Sequence, residues 1–185
     1  MVQYIGFVGT NGAGKSAACD YLESIGFVKV SLSDVVREAV HERGLTATRD
    51  HLVETANDLK EKFSQSYLAE EVYDRVSHSL DQRVVFDSIR NVSEVDFLRS
   101  KGVYIIGVDA PIEIRFERIQ SRQRASDRIV FDTFEAHDDR ENTGQSTGQH
   151  FHLALEHCDV VLQNTGALAD LQADLDAVIQ KATQR

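Results

Sequence analysis

The run Gly9-Thr10-Asn11-Gly12-Ala13-Gly14-Lys15-Ser16 constrains this chain more than any other segment of it. It fits the pattern GxxxxGK[ST] in full, directly after the apolar stretch Tyr4–Val8 and at the opening of a helix-like stretch. Physical chemistry explains the spacing. Glycines let a backbone wrap with its N–H groups turned inward, which makes a nest for phosphate oxygens. A helix opening near Lys15 adds its positive end to the same place. The lysine reaches the β- and γ-phosphates of a nucleotide, and the Ser16 hydroxyl is a ligand for Mg2+. Gly9, Asn11, Gly12, Ala13, Gly14, Lys15, Ser16 and Ala17 are therefore expected to hold the donor phosphates.

Around this loop the chain alternates between short β-branched runs and helical stretches. Tyr4–Val8, Phe27–Val30, Val84–Phe86, Val103–Val108 and Val160–Leu162 are near-continuous apolar runs. Such runs suit the strands of a parallel sheet covered by helices on both faces. Asn91-Val92-Ser93-Glu94 has the form of a capping box, and Pro111 suits a helix entry. Leu168, Leu171, Leu175, Val178 and Ile179 share one helical face. The pattern predicts a three-layer α/β/α fold on a five-stranded parallel sheet. Two stretches break the alternation. Residues 33–82 carry helical periodicity and no strand, too long for a plain crossover, and 122–148 are polar and rich in arginine. Both suit covers over a site, the first a helical insertion and the second a short lid.

At 185 residues and 42% hydrophobic, the chain is expected to form one domain with one core. A net charge of −10 opposes non-specific binding to nucleic acid or anionic membrane. The positive charge is divided unevenly, with 14 Arg against 6 Lys. No apolar run approaches the ~20 residues of a membrane span. The first residues lack the features of a signal peptide, and Cys19 and Cys158 form no CxxC pair. These features predict a cytoplasmic protein with reduced thiols whose partners are small molecules; they leave its oligomeric state open.

No NKxD-type guanine-reading motif or LSGGQ-like segment follows the loop, and the chain is short for a motor or for an AAA+ module with its lid domain. What remains is chiefly the small phosphotransferases. Here the residues resemble the nucleoside monophosphate kinase and dephospho-CoA kinase group of P-loop proteins, over nearly the whole chain in order. Ser33-Asp34-Val35-Val36-Arg37 is similar to the family's (S/T)GDxLR segment, which implies that Asp34 and Arg37 place the acceptor and that Arg37 holds its phosphate. Asp87-Ser88-Ile89-Arg90 is similar to DGxPR, though one residue shorter and without its Gly and Pro. The resemblance gives Asp87 the Mg2+-bound water and Arg90 the acceptor phosphate. From Pro111 to Arg118-Ile119-Gln120-Ser121-Arg122 the chain looks like the family's RxxxR helix, with Arg118 against the ATP base and Arg122 on its phosphates. Asp159 to Gly166 is similar to the last strand and loop, which passes near the adenine and implicates Asn164 and Gly166.

The expected activity is therefore Mg2+- and ATP-dependent phosphorylation of a nucleoside or deoxynucleoside monophosphate. Lid arginines Arg122 and Arg140 would close over the developing charge beside Lys15, Asp87 and Arg90. Dephospho-CoA is the alternative acceptor, and a regulatory nucleotide-binding ATPase the alternative class. Other residues read as ordinary structure. Arg115 is expected to pair with Glu113 and Glu117 on a helix surface, and His137-Asp138-Asp139 to form a solvated face. His150, His152 and His157 match no metal motif and are expected at the surface. Arg124 and Arg128 stand between site and surface, with Asp127 as a local partner. Cys19 is expected to be a small buried apolar residue.

Overall fold

The five apolar runs form strands β1 Tyr4–Val8, β2 Val28–Ser31, β3 Val84–Ile89, β4 Tyr104–Asp109 and β5 Val160–Gln163. They come from a computed structural model that describes residues 4–78, 82–122, 129–143 and 151–183. All neighbouring strands pair in parallel, in the order β2-β3-β1-β4-β5. The sheet is the one expected from the sequence. β3 runs beyond its apolar residues through Asp87 and Ser88, because ladder hydrogen bonds are made by backbone whatever the side chain.

Nine helices are described: α1 Lys15–Ser24, α2 Leu32–Glu42, α3 Arg49–Lys62, α4 Tyr67–Ser77, α5 Val92–Ser100, α6 Ile112–Ser121, α7 Phe131–Thr143, α8 Phe151–Glu156 and α9 Leu168–Thr183. Alternation along the strands divides the core in two. Ile5 and Phe7 of β1 face α1 and α9, packing with Ala18, Leu22, Leu171 and Leu175. Val8, Val84, Phe86 and Ile105 face α2, α4, α5 and α8, packing with Val36, Val72, Leu98 and Ala154. Leu168 departs from the expected stripe: at the first residue of α9 it lies 55% exposed, before the helix reaches the sheet.

Two features of this topology set the site. The exits of the adjacent strands β1 and β3 lead to α1 on one face and α5 on the other. Such a reversal opens a crevice at the carboxyl ends of the strands. The second is a bulge. Gly6 pairs with Phe86 but Val8 pairs with Ile89, so both Asp87 and Ser88 lie opposite Phe7. Ser88 takes φ +67°, and the extra residue keeps Ile89 in the same core as Phe86. The helices α2, α3 and α4 lie between β2 and β3, where the sequence carries helical periodicity.

Candidate active site

The loop between β1 and α1 is held by its surroundings as much as by its own sequence. Gly9 and Gly12 have φ of +155° and +84°. A Cβ on Gly9 would run into the carbonyl of Val108 on β4, and one on Gly12 would stand 2.6 Å from the carbonyl of Arg115 on α6. Both glycines therefore admit neighbouring backbone as well as shaping the phosphate nest. The Lys15 ammonium donates to the carbonyls of Gly9 and Thr10, the second at 3.0 Å, and lies 6.0 Å from the Phe151 ring centroid. The Thr10 hydroxyl is buried and has no hydrogen-bond partner among the described residues.

Behind the loop, residues far apart in sequence converge. Asn164 follows β5, is 8% exposed, and donates from Nδ2 to the Ala13 carbonyl at 2.8 Å. The Arg118 guanidinium reaches Ala13 O at 3.5 Å, Asn164 Oδ1 at 3.4 Å and Gly166 O at 3.3 Å. Arg118, Asn164, Gly166 and Ala13 thus form one contact group against the phosphate loop. Ser16 is exposed at the first turn of α1, and Asp87 is half-buried at the end of β3, its Oδ1 accepting the Ser88 N–H at 2.6 Å. A hydroxyl and a carboxylate are hard-oxygen donors suited to Mg2+, which commonly keeps water and phosphate as its remaining ligands. No group of three or more His, Cys, Asp or Glu residues able to hold a metal occurs among the described residues.

Beside the loop opens a cleft of about 510 Å3. Lys15 and Asn11 line it from the loop, Ser33, Val36 and Arg37 from α2, and Ser88, Ile89 and Arg90 from the end of β3. The α3 wall consists of Arg49, Leu52, Val53, Ala56, Asn57 and Lys60. These positions are spaced i, i+3, i+4, i+7, i+8 and i+11, one helical stripe. Among the described residues, five cationic side chains line the cleft and no carboxylate does. Ser31, Ser33 and Ser88 join at its floor in a triangle of hydroxyls with edges of 2.9, 3.0 and 3.0 Å, which buttresses the left-handed bulge.

The expected acceptor residues are therefore partly gathered. Arg37 and Arg90 both line the cleft; Asp34 and Asp87 do not. Asp34 is exposed in the first turn of α2 and accepts from Arg37 Nη1 at 2.5 Å. Arg122 caps α6 and Arg140 lies on α7, both exposed and neither among the cleft's lining residues. Arg124, Arg128 and His150 lie outside the described residues, as does much of 122–148. Arg49, Asn57 and Lys60 are additions that sequence reading missed. Their signal was present, since the stripe Leu52-Val53-Ala56 reads as core until the polar residues on the same face are followed to both ends.

Two surface expectations fail. Arg115 is 6% exposed and forms a two-pronged pair with Asp138 on α7, Nη1 to Oδ1 at 2.5 Å and Nη2 to Oδ2 at 2.8 Å. Its Nε donates to the Ala110 carbonyl at 2.9 Å, and its guanidinium carbon lies 5.7 Å from the Phe134 ring centroid. Asp138, also 6% exposed, is no part of a solvated face. Glu113 and Glu117 lie two positions either side of Arg115 and so do not face it on α6, whereas the packing of α7 supplies a planar carboxylate at the right orientation for the guanidinium fork. His152 is exposed as expected, beside Glu156, and His157 is half-buried beside Asp96. Cys19 is buried, and its thiol is pushed upward by that burial first and by the nearby Asp87 second. This makes it an inert packing group.

The geometry meets its relatives at this point. A family model described as an AAA domain matches residues 5–162. A UPF0200 protein of Methanocaldococcus jannaschii is 32% identical, with 96% of this chain and 89% of that protein covered. The chain is an AAA-domain protein of the UPF0200 family. The length-based expectation that excluded AAA modules is corrected: it rested on a separate lid domain, whereas the match covers the loop and sheet. A UPF0200/UPF0201 protein of Archaeoglobus fulgidus is also 32% identical over 97% of this chain, which spans 56% of that protein's length. Among solved structures, TT1252 from Thermus thermophilus superposes with a TM-score of 0.59 at 23% identity, covering 96% of each chain. A shikimate kinase from Acinetobacter baumannii in complex with shikimate gives 0.61 at 14% identity, covering 100% of this chain and 97% of that one. The fold is that of P-loop kinases. No described helix is long and apolar enough to cross a membrane.

Proposed function

We propose that this protein is an ATP- and Mg2+-dependent phosphotransferase whose acceptor is a nucleoside or deoxynucleoside monophosphate. The observation that carries the reading is the cleft beside Lys15, lined among the described residues by five cationic side chains and no carboxylate. An anionic acceptor is favoured there by charge. It also needs little help to react, because a phosphate oxygen is already deprotonated, whereas a hydroxyl acceptor gains from a general base within reach. Phosphoryl transfer is dominated by positioning and charge neutralisation, which arginines supply. The lining thus supports a monophosphate over the hydroxyl of dephospho-CoA. A volume of about 510 Å3 lies within the usual range of small-ligand sites.

In this reading the loop amides and Lys15 hold the donor phosphates, and Ser16 and Asp87 would hold Mg2+, which supplies charge neutralisation when bound. Arg37 and Arg90 grip the acceptor phosphate. Arg118, Asn164 and Gly166 border the donor base, and Arg122 with Arg140 approaches the transferred group as the lid closes. The apolar residues of the α3 wall receive the acceptor's base or sugar.

The test is ADP release from ATP with a panel of ribo- and deoxyribonucleoside monophosphates, dephospho-CoA, nucleosides and shikimate, the ligand of one structural neighbour. Turnover with a monophosphate and not with dephospho-CoA or shikimate is the expected result. Turnover with none of them would remove the phosphotransferase reading in favour of a nucleotide-dependent regulator. In that case Arg90→Ala would leave slow ATP hydrolysis unchanged.

A further inference from the structure

Glu94 is 1% exposed, charged, and has no part in the chemistry above. Its Oε2 accepts the backbone N–H of Arg90 at 2.8 Å and of Asn91 at 3.3 Å, while Asn91 Oδ1 accepts the Glu94 N–H at 2.8 Å. This is the capping box foreseen at the start of α5. A capping box is served by glutamine as well as by glutamate, so the cap alone does not call for a buried charge. The charge is met by Lys60 on α3, whose Nζ lies 3.2 Å from Oε1 and whose side chain is 9% exposed. A second link spans the same junction, where Asn91 Nδ2 donates at 3.4 Å to the carbonyl of Gln65 between α3 and α4.

One carboxylate therefore joins the two walls of the cleft. Lys60 ends the α3 stripe, and Arg90 stands at the end of β3 across from it. Buried ion pairs add little stability compared with an apolar filling of the same volume, and their best-attested use is to fix one arrangement among several. Here the arrangement fixed is the spacing between the α3 wall and the Arg90 peptide. We infer that Glu94 and Lys60 are positioning residues for the acceptor: their pair sets the width of the cleft, and with it the affinity for an anionic acceptor, independently of the donor loop. The inference rests on the phosphotransferase reading and names what tunes its acceptor site.

The test compares wild type with K60M/E94Q, which removes both charges but keeps a capping oxygen, and with K60R, which restores the pair. The probe is whichever of AMP, CMP, GMP and UMP wild type binds most tightly by calorimetry, a measurement that needs no turnover. K60M/E94Q is expected to melt close to wild type and to bind ATP equally well. It should bind the probe at least about tenfold more weakly, with acceptor KM raised in proportion. K60R should recover most of the probe affinity. A folded K60M/E94Q with unchanged probe affinity overturns the inference, as does a parallel loss of ATP and probe binding, which marks a general structural role. Should K60M/E94Q fail to fold, hydrogen exchange on wild type decides: the Arg90 and Asn91 amides and α3 must gain protection together when the probe binds, and separate responses overturn the inference. Wild type that binds ATP but no ribo- or deoxyribonucleoside monophosphate removes the monophosphate reading itself, a different outcome from an indifferent double variant.

Discussion

The proposed donor loop and the proposed acceptor cleft share Lys15 but are made of different material. The loop is contiguous backbone, wedged between the Val108 carbonyl of β4 and the Arg115 carbonyl of α6. The cleft is side chains, collected from α2, α3, the end of β3 and Phe151 of α8. Donor phosphates are the same on every nucleoside triphosphate, so a fixed cradle of amides suffices for them. An acceptor has to be selected, and selection needs groups of varied shape and charge on elements that can be exchanged or shifted. Rigidity and adjustability are thus assigned to opposite sides of one lysine.

That contrast can be broken at either side, and the largest effect is expected behind the loop. Asp138→Ala leaves the buried Arg115 guanidinium without its carboxylate, which costs about 3–5 kcal/mol and loosens the helix that backs Gly12. Urea denaturation measures the loss, and a variant within about 1 kcal/mol of wild type would mean that the pair is dispensable. Gly9→Ala forces a methyl group against the Val108 carbonyl at a positive φ. It is expected to cost up to about 3 kcal/mol and to abolish ATP binding, measured by calorimetry. Arg90→Ala, on the adjustable side, should lower acceptor-dependent turnover about 100-fold while ATP affinity stays as in wild type. A matching fall in ATP affinity would merge the two sides into one unit.

Smaller effects belong to the exposed groups. Asp34 and Arg37 form a pair with both side chains more than half exposed, so Asp34→Ala should change stability by less than about 1 kcal/mol. It frees Arg37 for the acceptor, and a modest fall in acceptor KM is the expected readout. The smallest effect is a pH dependence on α4. The Ser66 hydroxyl first, and Ser64 second, hold the Glu70 carboxyl below its ordinary range. A depressed carboxyl stabilises the fold above the unfolded value of about 4.3, and that contribution is lost as pH falls through the folded value. Ser64→Ala/Ser66→Ala should therefore flatten the acid limb of the stability curve, and an unchanged limb would remove Glu70 from the account.

The two sides were not equally legible in the sequence. Gly9 to Ser16 is one uninterrupted segment whose chemistry depends on near neighbours, so the loop and its flanking strand could be read directly. The other strands were equally plain, because burial on both faces leaves continuous apolar runs. Asn91 and Glu94 were legible as a cap for the same local reason. Lys60 was not, since nothing within a few residues of it says that its partner lies beyond another helix and a strand. Arg115 shows the same limit more sharply: Glu113 and Glu117 lay near it in sequence, and Asp138 took it through the packing of α7 on α6. Ser88 stands where the resembling kinases carry glycine, and its left-handed bulge is evident from β-ladder register alone.

By itself the sequence determined the strand–loop–helix proposed to cradle phosphate, the five-stranded parallel sheet and the helical periodicity between β2 and β3. These follow from periodicity and from conformations open to particular residues over a few positions, which are short-range effects. Only the tertiary structure decided which charges are buried and with whom, that Arg49 and Lys60 join Arg37 and Arg90 around one cleft lined, among the described residues, by no carboxylate, and that Asp34 stands outside it. An ion pair's worth and a pocket's sign depend on the separation and desolvation of groups far apart in the chain, and those are fixed by the way helices pack on the sheet.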